Sequence, residues 1–382
     1  MYREMQLQGK RVAIVTDWLT NLGGAERVVA AVADIFPDAP IYTTFLNFEK
    51  VKELFPDKKR IRPSIFSHIP SITNKQIFIA PFLKTAISSL NLKDFDIILS
   101  FSSSVAKNIR THKNQTHICY IHTPARYIWQ KEDDNRFEKF PIFMKPLVNL
   151  YLNRLKKWDL AKAASVDFFI SNSRETASRV KKFYARDSEI LYPPVDFDYF
   201  QTLKTPEKGD YFLAFGRFVK YKRFDLVIEA FKNLPDKKLV LAGDGPEKEY
   251  SELLAKGVPN IEFLGRVERD DLKKLLNRAR ALILPQKEDA GIVQLESLSC
   301  GVPVIAYKDG GALDVIRDGK NGVFFDSQNP QSLVSAIQKF EKTENSFNQQ
   351  EIKNSAETYS LQSFQRNYLQ FIEKYFSKKG TT

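Results

Sequence analysis

Two carboxylates, Glu288 and Glu296, stand eight residues apart, the first in an acidic loop and the second on the apolar-periodic stretch that follows it. Ile292, Leu295 and Leu298 recur at a spacing of three, which places them on one face of a helix. Both glutamates can therefore border one crevice. A carboxylate has the wrong charge to hold a phosphate, so its natural partners are sugar hydroxyls; the competing reading is a solvated loop charge and a solvated helix residue. Ala290-Gly291-Ile292 lies between them, where backbone N–H groups open a helix N-terminus towards a ligand. Arg217 and Lys222 flank a second strand-to-helix turn at Gly216. There an arginine supplies a bidentate grip on an anion and a lysine a mobile point charge, unless both are simply surface members of the 58 Lys plus Arg. His122 follows a third apolar run, where a lone histidine serves either structure or a ligand.

These residues need strands to carry them. Ala281 to Leu284, ended by Pro285, and Val302 to Ala306, launched by Gly301, read as two buried parallel strands. Further apolar runs occur at Tyr211 to Phe215, Lys238 to Ala242 before Gly243-Asp244-Gly245-Pro246, and Ile261 to Leu264 before Gly265-Arg266-Val267-Glu268. The first half repeats the alternation with runs at Arg11 to Thr16, Ile41 to Phe45, Asp96 to Phe101, Thr116 to Ile121 and Val166 to Ser171. Strands alternating with helices predict α/β architecture with parallel sheets, whose ligands gather at the carboxyl ends of the strands. After the first run come Gly23 and Gly24, opening a helix from Ala25. Paired glycines let a backbone approach a phosphate or an oxyanion, or make only a tight turn. Gly-Gly-Ala-Glu lacks the G-x-G-x-x-G spacing of dinucleotide binders, which argues against a dehydrogenase.

With 382 residues, 43% hydrophobic and 13% aromatic, the chain is long enough for two domains. The division read from composition is 1–195, a polar linker 196–209, a second domain 210–360, and a final helix at 361–382 marked by Phe364, Tyr368, Phe371 and Tyr375. The absence of an apolar leader or a spanning segment, and only two cysteines, Cys119 and Cys300, in apolar surroundings, predict a soluble cytoplasmic protein without disulfides.

A net charge of +12 calls for an anionic partner. No zinc-ligand spacing, helix-turn-helix signature or aromatic ribonucleoprotein motif accompanies it, so nucleic acid is not expected. Lys145 to Ala164 reads as a basic amphipathic helix, either a plain surface helix or a peripheral contact with an anionic membrane. Lys58, Lys59, Arg60, Arg62, Lys107, Arg110 and Lys113 could extend the same field. The Asp-Phe-Asp pairs at 94–96 and 196–198 enter a strand and the linker, so neither reads as a metal site.

Four stretches carry a resemblance: GGAERV at 23–28, YIHTPARYIW at 120–129, GRFVKYKRFDLVIEAF at 216–231, and the Glu288-x7-Glu296 pattern followed by SLSCGVPVIAYKDGGALDVI. In this order they resemble the retaining, nucleotide-sugar-dependent glycosyltransferases of family four, which have the GT-B fold. The resemblance implies two Rossmann-like domains facing a cleft, the acceptor on the first and the sugar nucleotide on the second, with the last helix crossing back to the first domain. It implies Glu296 on the ribose, Glu288 with the Ala290-Gly291-Ile292 backbone on the donor sugar, and Arg217 and Lys222 on the diphosphate. It further implies Val267 and Glu268 near the base, His122 beside the transferred sugar, and Gly23-Gly24 on the phosphate or acceptor side. Catalysis would fall to His122, Glu288, Arg217 and Lys222. No metal or cofactor is expected, the diphosphate being held by cations and helix ends. The first-choice reaction is transfer of mannose from GDP-mannose to a glycan or lipid-linked acceptor with retention. A UDP-hexose donor, a sugar-nucleotide epimerase and a non-catalytic basic anion binder are the alternatives. Ala290 stands where the family usually has an aromatic residue, which reshapes the loop around the sugar.

Overall fold

The computed structural model describes residues 9–68, 76–130, 142–201 and 209–379, and the chain divides into two compact units. The first comprises residues up to Pro194 together with those from Phe364 onward; the second runs from Val195 to Ser363.

The first unit is built on seven strands: β1 Val12–Thr16, β2 Ile41–Thr43, β3 Ile61–Pro63, β4 Ile97–Ser102, β5 Thr116–Ile121, β6 Phe168–Ser171 and β7 Glu189–Ile190. They form one all-parallel sheet in the order β3-β2-β1-β4-β5-β6-β7. Every residue of β4 and β5 is buried, as a parallel sheet covered on both faces requires. The helix Leu361–Lys379 begins in the second unit's last residues and continues in the first. There Tyr368 stacks on Phe101 with ring centres 6.3 Å apart, and Phe364 meets Tyr120 edge-on at 6.1 Å.

The second unit holds β8 Tyr211–Phe215, β9 Lys238–Ala242, β10 Ile261–Gly265, β11 Leu282–Leu284, β12 Val304–Tyr307 and β13 Gly322–Phe325, all parallel, in the order β10-β9-β8-β11-β12-β13. Alternate residues of each strand enter different cores. Phe212, Leu239, Leu241, Ile283 and Ile305 pack under the helices Phe224–Lys232 and Pro330–Thr343. Leu213, Val240, Leu282, Leu284 and Val304 pack under the helix Ile292–Ser299 on the other face. Burial on both sides is why these strands read as continuous apolar runs rather than alternating ones.

The start of the expected linker is instead part of the second unit. Residues Phe197–Gln201 form a helix, and the spacing of three between Phe197 and Phe200 drives both rings into the core beside Leu276 and Cys300. Residues 202–208 of that linker lie outside the described residues.

Candidate functional site

In the second sheet the strand order reverses between β8 and β11, so the connections leaving these neighbours diverge and open a crevice at their carboxyl ends. The connection after β8 carries Arg217 and Lys222; the one after β11 carries Glu288 and leads to the helix Ile292–Ser299. The fold thus brings the Lys222 ammonium against Glu288 Oε1, both side chains being nearly buried at 13% and 12% exposure. Gln286 Nε2 donates to the same oxygen at 2.6 Å. Arg217 is exposed and makes no ion pair among the described residues. Arg223, in the left-handed region at φ 54°, turns the chain from Lys222 into the helix Phe224–Lys232 and leaves that N-terminus without a side-chain cap.

Gly291 sits at φ 71° as the N-cap of the helix Ile292–Ser299, again with no side-chain cap, so the first N–H groups of that helix have no partner from the cap residue. Ala290 is buried, Ile292 half-buried, and Glu296 partly exposed on the second turn. Two contacts fix the loop from below. Gly311 N–H donates to the Glu288 carbonyl at 2.8 Å, and a Cβ on Gly311 would lie 2.5 Å from the Asp289 carbonyl oxygen. Gln294, fully buried, donates to the carbonyls of Ala290 at 2.8 Å and Gly311 at 3.2 Å.

Val267 and Glu268 follow β10, the edge strand. At the usual strand spacing this is two intervals, about 10 Å, from β8. Glu268 is exposed and is the N-cap of the helix Arg269–Arg278 without a side-chain cap bond. Backbone bonds lace the turns after β8, β9 and β10: Gly243 N–H to Gly265 O at 2.6 Å and Phe218 N–H to Asp244 O at 3.0 Å. Gly243 and Gly245 have positive φ, and a Cβ on either would collide with the backbone of Gly216 or Phe218.

In the first unit the order reverses between β1 and β4. Asp17, just past β1, is buried there and collects hydrogen bonds from the turn after β4: the N–H groups of Ser103 (2.5 Å), Ser104 (2.9 Å), Val105 (2.6 Å) and Ala106 (2.6 Å), and Ser103 Oγ (3.0 Å). Burial pushes its pKa above the ordinary value, against those donors, which pull it down. Gly23 is the N-cap of the helix Gly24–Ile35. Glu26, three residues on, folds its carboxyl back over Gly23, where the backbone N–H groups of Gly23 and of its own residue pull its pKa down against burial. Burial, with Asp17 nearby, raises the Glu26 pKa to about 7. The seat expected for an external phosphate thus already holds a carboxyl group. His122 ends β5, half-buried, its ring edge-on to Tyr120 at 5.2 Å, its N–H bonded to Ser102 O at 2.9 Å and its carbonyl to Thr176 Oγ1 at 3.2 Å.

Two expected members of the basic field are structural. Lys107 is buried and paired with Asp159, and Arg60 donates to the carbonyls of Ala33 (3.2 Å), Phe36 (2.9 Å) and Ala39 (3.1 Å), closing the end of the helix Gly24–Ile35. Sequence reasoning missed Gln286, Gln294, Asp17 and Glu26. For Glu26 the signal was present, a Glu three residues after a candidate N-cap; for Asp17, an acid placed at a strand's carboxyl end. No group of three or more metal-ligating side chains occurs among the described residues.

Residues 196–358 match the family described as glycosyl transferases group 1. Curated relatives at 32–34% identity share stretches of 126 to 135 residues with the chain, and these stretches are only 24–38% of the relatives' own length. A GDP-mannose-dependent alpha-(1-6)-phosphatidylinositol monomannoside mannosyltransferase of Mycolicibacterium smegmatis is 30% identical over 141 residues, 33% of this chain and 37% of that protein. The alpha-1,3/1,6-mannosyltransferase alg2 of Schizosaccharomyces pombe is 24% identical over 366 residues, covering 79% of this chain and 68% of that one. Among solved structures, Anabaena HepE in complex with UDP has a TM-score of 0.71 at 16% identity, over 95% of this chain and 100% of that one. Residues 196–358 thus match the glycosyl transferases group 1 family, and the two parallel-sheet units have the GT-B fold.

Proposed function

We propose that this protein is a retaining glycosyltransferase that moves a hexose, first of all mannose from GDP-mannose, to a glycan or lipid-linked acceptor without a divalent cation. The observation that carries the reading is the convergence, at the switch point of the second sheet, of Lys222 with Glu288 beside the uncapped N-terminus at Gly291. A diphosphate there meets Lys222, Arg217 and helix N–H groups, while Glu288 and Glu296 accept from hydroxyls of the sugar and ribose. As the bond to the anomeric carbon breaks, negative charge gathers on the diphosphate, so cations placed there act most strongly in the transition state. The acceptor oxygen attacks from the face the diphosphate leaves, and a donor phosphate oxygen takes its proton. His122 hydrogen-bonds a sugar hydroxyl. Val267 and Glu268 line the base, and Gly23-Gly24 with Glu26 face the acceptor. The names of the two mannosyltransferases favour mannose. The UDP in HepE, with Ala290 in place of the family's aromatic, favours a UDP-hexose as the second reading.

The test is thermal stabilisation by GDP, UDP, ADP and their sugar conjugates without added metal. A ligand at a hundred times its dissociation constant adds about 2.7 kcal/mol. A shift with GDP-mannose that Glu296→Ala loses supports the first reading; a UDP-selective shift supports the second. No shift with any nucleotide sinks both and leaves a basic anion binder.

Peripheral contact with an anionic membrane is part of the proposal. No described helix is long and apolar enough to cross a membrane. Phe143 and Leu147 are 80% and 65% exposed, Leu150 is exposed on the same face, and Arg154 and Lys157 follow at helical spacing on that face. The helix Lys145–Ala163 has one acidic residue, Asp159, and it is buried. Exposed apolar side chains with cations on the same helix face match an anionic lipid surface. In vesicle sedimentation the protein is expected to bind phosphatidylglycerol and not phosphatidylcholine, and Leu147→Ser/Leu150→Ser to lose most of that binding. Equal binding to both lipids would overturn the contact.

A further inference from the structure

The state of Lys222 points to a second role for Glu288. Both side chains are nearly withdrawn from water and held against each other, with Gln286, itself buried, donating to the same carboxylate oxygen at 2.6 Å. The main chain beneath Glu288 is clamped: its carbonyl takes the Gly311 N–H, and the approach of Gly310 to that carbonyl leaves no room for a Cβ. The carboxylate can therefore leave Lys222 only by side-chain rotation. Arg217, on the same connection as Lys222, is exposed and makes no ion pair among the described residues. Of the two cations assigned to the diphosphate, one is open and the other is neutralised by a resident anion.

We propose that Glu288 is a placeholder for the diphosphate, and that its return to Lys222 sets the preference for the sugar nucleotide over the spent nucleoside diphosphate; this rests on the donor-site reading above. A diphosphate reaching Lys222 must displace the carboxylate, because two anions beside one half-buried ammonium repel. With a sugar attached, the displaced carboxylate finds hydroxyl donors. Once the sugar has left, it finds none, and it competes again for Lys222. No covalent step is involved. The residue is a ligand contact in the loaded site and a competitor in the emptied one.

The experiment is calorimetric titration of wild type, Glu288→Gln, Lys222→Gln and the double variant with GDP, GDP-mannose, UDP and UDP-glucose, each chain first checked by thermal melting. Glutamine keeps the shape and removes the competing charge. Glu288→Gln is expected to bind the preferred nucleoside diphosphate about tenfold more tightly than wild type and to lose selectivity for its sugar conjugate. Lys222→Gln is expected to weaken binding, and in the double variant the gain should vanish, since it acts through Lys222. Should Glu288→Gln fail to fold, Glu288→Ser is read in the same way. A wild type that binds nucleotide, with a Glu288 variant that binds the diphosphate no more tightly, overturns the placeholder role alone. Absence of nucleotide binding in all chains, wild type included, overturns the donor-site reading itself.

Discussion

In the first unit Lys107 meets Asp159 with 1% and 0% of their side chains exposed; in the second Lys222 meets Glu288 with 13% and 12% exposed. The chemistry of the two pairs is the same, and their surroundings are not. Asp159 also accepts from Asn108 Nδ2 at 3.0 Å, Trp129 Nε1 at 2.8 Å and Tyr184 OH at 2.8 Å, while the Lys107 ammonium lies 5.0 Å from the centre of the Tyr184 ring and bonds Asn108 Oδ1 at 2.7 Å. Donors and acceptors there are matched by protein on every side, so the pair joins the turn after β4, the YIW stretch and two helices into one unit. Glu288 lies instead beside a helix N-terminus without a side-chain cap, and the connection that carries Lys222 also carries the exposed Arg217. A buried pair closed by protein partners is architecture, whereas a pair at a sheet's switch point with open neighbours is one a ligand can exchange.

Three variants press on this contrast. Lys107→Met leaves the Asp159 charge buried without its counter-ion and is expected to cost about 3–5 kcal/mol in urea denaturation of the first unit. A loss below about 1 kcal/mol would erase the distinction. Lys222→Gln leaves Glu288 its bond from Gln286 and is expected to cost clearly less than Lys107→Met, about 1–2 kcal/mol, and to lower transfer by about 10²–10³-fold in a radiolabelled-donor assay. The reverse outcome, a melted protein with normal turnover per folded molecule, would make it a structural pair too.

Glu26 extends the comparison to a carboxyl with no ion-pair partner among the described residues. Its folded pKa of about 7 lies above the ordinary 4.5. The folded state therefore binds more protons than the unfolded one between these values, and stability falls as pH rises through that window. Relative to Glu26→Gln, wild type should lose on the order of 2 kcal/mol between pH 4.5 and 7.5 in thermal denaturation, after allowance for partial solvent access. A flat difference across that range would show that the carboxyl titrates in the folded chain as it does in the unfolded one.

The strands that carry the site were legible because burial on both faces writes a local signal, an apolar run such as Leu282–Leu284 ended by Pro285. β3 and β7 were not. They are edge strands of three and two residues, and Glu189 and Arg62 face solvent, so neither run has the apolar content that marks a covered strand. Glu288 and Lys222 could be named from their turns, but their contact spans 66 residues and exists only because β8 and β11 are neighbours. The same limit hid Lys107. Its partner lies 52 residues on, and nothing in the local sequence separates a buried lysine from a solvated one. Phe197 and Phe200 were misread as linker since a helix of five residues offers too few turns for a period to stand out from polar neighbours.

The turn at Gly310 and Gly311 touches no ligand in the proposed mechanism, yet it sets how the acidic loop could be re-engineered. Its two missing side chains make room for the carbonyls of Glu288 and Asp289, so the acidic loop is moulded on a neighbouring segment some twenty residues away in sequence. Side chains on the loop, Ala290 among them, can change while the backbone stays in register. A transplanted loop, by contrast, should keep its backbone only when the 309–312 segment travels with it: under the proposed donor role, the heritable unit of donor choice is the pair of segments.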